Sequence, residues 1–237
     1  MMMIAMFGAL LHDPETEEAL RAFAKDYGSP VGVVRAAAVL ELGKLHNGTT
    51  RSKLAGLLTV DEDAVRIAAA RSLGDFTEDR DKVSAVLMLA LAPNAKAFDV
   101  EATILIALGK LGHDSALSTL HASFDSRDPK DTDFKVAKAA IRAAGLFRSR
   151  DSVGPLIDLG KRLERVLKGG GAKNIGPAGG AGVGIPGGGA DPQTLRAQAL
   201  APVILKSLQA ITGEKWIALA EWEIWWEKHR AVFKVDR

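Results

Sequence analysis

The stretch Val-Arg-Ala-Ala-Ala-Val-Leu-Glu-Leu-Gly-Lys-Leu at residues 34–45 returns 31 residues further on as Val-Arg-Ile-Ala-Ala-Ala-Arg-Ser-Leu-Gly-Asp-Phe at residues 65–76. Working outward from this pair, glycines line up as Gly8, Gly43, Gly74, Gly109 and Gly145, at intervals of 35, 31, 35 and 36 residues. Nine positions before the last four stand Val34, Val65, Val100 and Val136, and six before stand Ala37, Ala68, Thr103 and Ala139. Two after come Leu10, Leu45, Phe76, Leu111 and Phe147. These offsets fall on one face of a 3.6-residue helix. A glycine inside a helix costs about 1 kcal/mol relative to alanine. Its fivefold recurrence therefore predicts a close approach of backbones at each such spot.

A second helix is expected after each glycine. Asp13-Pro14, Asp79, Asp114 and Asp151 stand where a short polar side chain can cap it. These helices read as roughly 15–27, 50–59, 80–91, 114–125 and 151–168. A single pair cannot bury its apolar face, so consecutive pairs must stack into a solenoid. No segment alternates with period two, and no sheet is expected.

Val34 to Ala38 with Leu42 to Leu45, and Val65 to Ala69 with Leu73-Gly74, resemble the short HEAT repeats of bacterial proteins, the type also found in phycobilisome lyases. The resemblance runs over residues 1–168; Glu101 replaces its usual arginine in the fourth unit, and Ala137 does so in the fifth. It implies an all-α fold: a right-handed α-α superhelix of about five helical pairs, the first truncated, plus a C-terminal capping pair. Adaptors, lyases and nucleic-acid binders all use this fold.

Three segments follow. Residues 1–168 are the HEAT-like solenoid. Residues 169–190, with eleven Gly and two Pro, read as a flexible linker spanning about 25 Å. Residues 191–237 read as a helix from Pro192 to about Ile211, ended by Thr212-Gly213, then a tryptophan-rich cap. On the long helix Leu195, Ala199, Pro202, Val203 and Leu208 are expected to pack on the last repeat, with a kink or irregular turn at Pro202. Trp222, Trp225 and Trp226 share a helical face and are expected to close the solenoid rather than cage a ligand. At the other end Gly8 lies too near Met1 for a whole first helix, which reads as a stub from Met3 to Leu11. This predicts either a native chain that extends upstream or a short apolar cap. Localisation is cytoplasmic as the sequence stands, and secreted or periplasmic if an upstream segment exists.

The chain has 237 residues, 31 Lys+Arg against 29 Asp+Glu, and no cysteine, which excludes disulfides, thiol nucleophiles and thiolate-bound metals. No apolar run approaches a membrane span. No metal or cofactor motif appears, and the five histidines are dispersed. His12, His46 and His113 lie just past repeat glycines, about 10 Å apart by helix-packing distances, too far to share a metal.

Charge is uneven: residues 135–173 hold 10 basic side chains against 3 acidic. The favoured function is a non-catalytic scaffold whose concave face, lined by the second helices, holds a protein or peptide. Contact residues there are Arg51, Lys53, Asp81, Lys82, His121 and Arg162. One alternative is nucleic-acid binding through the basic stretch, with Arg142, Arg148, Arg162 and Arg165. The other is a bilin-lyase-like role, implied by the resemblance alone. Arg35 and Arg66 are expected to reach Asp61, Glu62 or Asp63 on a neighbouring unit, forming a polar ladder.

Overall fold

The computed structural model describes residues 14–169 and 191–235. The stub at Met3–Leu11, Gly8 and His12, and the glycine-rich tract from residue 170 to 190, lie outside the described residues. Within them the chain is all helix: α1 Pro14–Tyr27, α2 Gly32–Leu42, α3 Gly48–Leu57, α4 Asp63–Gly74, α5 Arg80–Asn94 and α6 Phe98–Leu111 lead, and α7 Leu117–Ser123, α8 Lys135–Phe147, α9 Val153–Gly169, α10 Pro192–Thr212 and α11 Leu219–His229 follow. Short 3-10 turns precede α7 and α9. No strand occurs among the described residues.

The helices form two layers. The glycine-bearing helices α2, α4, α6 and α8, followed by α10, pack side by side. The intervening α1, α3, α5, α7, α9 and α11 lie behind them and touch one another far less. Valine at the repeat's first core position is buried in three units, as Val65, Val100 and Val136, whereas Val34 at the first described glycine helix is exposed. The alanine-rich middle follows: Ala69, Ala70, Ala107, Ala140, Ala143 and Ala144 are buried almost completely.

Small residues in both partners let the glycine helices approach in register. A side-chain carbon added at Gly74 would lie 2.8 Å from Ala107 Cα, and one at Gly109 would lie 2.6 Å from Ala143 Cα. At Gly43 it would lie 2.3 Å from Ser72 Cβ, and at Gly145 3.1 Å from Ser207 Cα. Ser72, Ala107 and Ala143 each stand two residues before the next repeat glycine. Ser207 therefore assigns Gln209 to the glycine position of a further repeat, so α10 and α11 continue the stack as one more pair. No described helix packs beyond α10, and the requirement for glycine lapses there.

The C-terminal helices differ in detail from the sequence expectation. α10 runs unbroken through Pro202, which is exposed, as is Leu195. Its buried face is Ala197, Leu200, Ile204, Leu208 and Ile211, with Val203 at its margin. The polar Arg196 is also buried, donating to the carbonyls of Phe124 (2.9 Å) and Ser126 (3.2 Å) and so tying α10 to the end of α7. Gly213 ends α10 in the left-handed conformation (φ 77°) and donates to Gln209 O. Trp222 is fully buried, its indole donating to Trp216 O at 3.2 Å, and Trp225 stacks on His229.

Candidate functional site

Four successive glycine helices present an open groove of about 760 Å³. The lining residues fall mainly at four offsets from the glycines, ten, seven and three before and one after, with only the position three before supplied by all four helices. From α2 comes Leu40, from α4 Ile67 and Arg71, from α6 Asp99, Ala102 and Ile106, and from α8 Lys135, Lys138 and Arg142. Asp75 and Lys110, just after their glycines, form one wall. The sequence expectation placed the concave face on the second helices, and the structure places the groove on the other layer. The physical reason is spacing. Glycine and alanine contacts draw α2, α4, α6 and α8 together, while side chains hold the second helices apart.

The floor is apolar, with Ile67, Ala102 and Ile106 half-buried and Leu40 exposed. Charges alternate over it. Lys110 Nζ donates to Asp75 at 2.7 Å, and Lys135 Nζ to both oxygens of Asp99 at 2.8 and 2.9 Å. Asp133 adds a second carboxylate near Lys135. Arg71, Lys138 and Arg142 have no ion pair among the described residues. The groove therefore carries uncompensated positive charge above an aliphatic floor.

The expected ladder forms at Arg35 and is not continued by Arg66, whose acidic partner lies on its own helix. Arg35 binds Asp61 through Nη2 (2.9 Å) and Nε (3.2 Å), and Tyr27 Oη donates to the same carboxylate at 2.5 Å. The Arg35 hydrogen bond, followed by that of Tyr27, holds the Asp61 carboxyl down at about 2 against the cost of burial. Burial, and then the hydrogen bond to Asp61, pushes the Tyr27 phenol up to about 12. Arg66 pairs with Asp63 on its own helix and reaches forward to Asn94 Oδ1 at 2.7 Å. The third rung inverts: Glu101 occupies the arginine position and faces Asp131 and Asp128. Burial first, then these two carboxylates, pushes Glu101 up to about 7. Asp131 itself accepts from the backbone N–H groups of Lys135 and Val136.

The other sequence candidates scatter. Arg51 of α3 pairs with Asp79, which also holds Lys82 at 2.9 Å. Lys53 sits 5.3 Å above the Phe23 ring, and Asp81 is exposed in the first turn of α5. His121 Nε2 meets Ser152 Oγ at 2.9 Å, and burial lowers its pKa. Arg51, Lys53 and His121 join second helices or their caps to one another, and none of these side chains lines the groove.

The basic stretch divides between the layers. Lys135, Lys138 and Arg142 lie in the groove. On α9 behind it, Lys161 pairs with Glu223, Arg162 with Asp125 at 2.9 Å and Lys168 with Glu164 at 2.7 Å. Arg165 lies along its own helix, its Nε 3.4 Å from Lys161 O. Arg148 is exposed at the end of α8 in a left-handed conformation (φ 54°). Among the described residues the basic stretch does not form a single surface, because α8 and α9 belong to opposite layers; Lys173 lies outside them. The histidines are likewise tied locally, His46 stacking on Phe76 and His113 meeting Ser115 Oγ at 2.8 Å. Among the described residues no three His, Cys, Asp or Glu side chains are grouped as a metal site. No described helix is long and apolar enough to cross a membrane.

Leu40, Ile67, Arg71 and Ile106 were missed as site residues. Their signal was present in the repeat alignment: exposed positions at constant offsets from the glycine lie on one stripe. The layered pairs and their shared groove define an α-solenoid. Residues 28–97, which span α2 to α5, match the family of HEAT repeats, and this supports reading the chain as a HEAT-repeat protein. No curated protein matches the sequence.

Proposed function

We propose that this protein is a non-catalytic interaction scaffold that takes a segment of a partner protein into the groove of its glycine-helix layer. HEAT repeats commonly serve this purpose. The observation that carries the reading is the groove's lining, in which aliphatic floor and unpaired cations alternate over four helices. The organisation that goes with this function is one stack in which the C-terminal pair closes the end.

The absence of cysteine gives a clean test. Thr103→Cys places a single thiol in the groove, and Ala85→Cys places one on the second-helix layer. Each is labelled with a photoactivatable cross-linker in extract of the source organism. Nuclease-resistant capture of one discrete protein from the groove position alone is expected. Equal capture from both positions, or none from either, overturns the proposal.

A further inference from the structure

The groove also carries information about what its occupant looks like. We infer that it receives an extended acidic segment, with apolar and acidic side chains alternating every third residue. The inference rests on the scaffold reading and deepens it.

Size comes first. Four helices packed at 8–10 Å intervals span roughly 24–30 Å. The groove is open along this length, and a single extended chain, about 4.8 Å from its neighbours in a sheet, can lie along it across all four helices.

Register comes second. The position three before each glycine carries Leu40, Arg71, Ile106 and Arg142 on successive helices, alternating apolar and cationic. An extended chain advances about 3.3 Å per residue, so about three residues cover one helix interval. The matching segment has an apolar residue, a carboxylate three further on, an apolar residue three beyond that, then a second carboxylate. Lys138 lies one turn from Arg142 and reinforces the second acidic position.

Charge decides against a phosphate backbone. Asp75, Asp99 and Asp133 stand among the cations. A nucleic-acid strand carries a phosphate on every nucleotide and sets some of them against these carboxylates. No aromatic side chain lines the groove to stack a base. A peptide can leave neutral residues opposite each aspartate.

The probe is a labelled serine-based peptide of about ten residues with Leu at its first and seventh positions and Glu at its fourth and tenth. Fluorescence anisotropy is read against three competitors: the Gln-for-Glu peptide, the Lys-for-Glu peptide and a single-stranded oligonucleotide. Binding of the Glu peptide at least tenfold tighter than the others is expected. Arg71→Glu with Arg142→Glu should reverse the order, so that the Lys peptide binds better than the Glu peptide. The double lysine variant should retain the original preference. Both arginines are exposed and unpaired, and a thermal melt confirms that the variants fold. Equal binding of the Glu and Gln peptides, no binding of either, tighter binding of the oligonucleotide, or an unchanged preference in the charge-reversed protein overturns the inference. If a partner is captured at Thr103→Cys and the acidic peptide does not displace it, the acidic occupant is wrong and the scaffold stands. If nothing is captured there, the scaffold itself falls.

Discussion

The two helix layers of this protein are held by different forces. In the glycine layer, backbones meet at Gly74 and Gly109, where an added Cβ would lie 2.8 Å from Ala107 Cα and 2.5 Å from Ala143 O; at Gly43 the neighbour is the small Ser72 side chain. In the other layer, polar side chains reach between helices, as Asn47 Nδ2 does to Thr16 Oγ1 (2.8 Å), Arg51 to Asp79 and His121 to Ser152. Backbone contact fixes a short distance and tolerates no added volume. Side-chain bridging tolerates a longer and more adjustable one. The groove lies on the tight side.

The largest expected effect is a direct attack on the tight layer. Gly109→Val drives its side chain into Ala143, whose carbonyl oxygen would lie 2.5 Å from the new Cβ. Overpacking of this kind costs about 1–3 kcal/mol, measurable as a lowered urea midpoint. The same variant should also weaken peptide binding, since α6 and α8 both line the groove. In the looser layer Asn47→Ala removes the cap of α3, where Asn47 Oδ1 accepts from Thr50 N at 2.9 Å. Loss of such a cap costs about 1 kcal/mol, and here the groove affinity should be unchanged.

Glu101 sharpens the comparison through pH. Its folded-state pKa of about 7 lies above the ordinary 4.5. A raised carboxyl contributes stability that is complete below pH 4.5 and lost as pH rises through about 7. Glu101→Gln should therefore stabilise the protein at pH 8 by about 1 kcal/mol, because solvent screening cuts the full shift for a half-exposed group. At pH 4.5 it should change nothing. Denaturation at the two pH values checks both arms, and equal midpoints at pH 8 would remove the inverted rung.

The smallest effect belongs to Gln209→Ala, at the glycine position with no described helix beyond it. A shift within about 0.5 kcal/mol is expected. A large loss would mean that the Gln209 side chain, which donates from Nε2 to Trp216 O at 3.3 Å, holds the segment after α10 in place.

How far the residues themselves foretold this arrangement varies by feature. The recurrent glycine with alanine before it made the helix pairs and their register legible, because both signals are local. The Arg35–Asp61 rung was legible too, since acidic residues open the following unit. The groove was not, although its residues sit at constant offsets from the glycine. A repeat alignment shows which positions face away from the core without showing which layer carries the groove. Charge misled for a related reason: Lys138 and Arg162 are close in sequence, yet the turn between α8 and α9 sends them to opposite layers. Pro202 misled in another way, because an exposed proline can sit within a helix whose far side is packed.

The sequence by itself determined the helical pairs, the glycine register and the place of the tryptophans at the end of the chain. These depend on spacing within about ten residues, where helical geometry alone relates one side chain to the next. Tertiary structure decided which layer carries the groove, how the basic residues divide, and that Gln209 stands where a glycine would. Each of those depends on distances between helices, and such distances are set by the joint volume of side chains far apart in the chain.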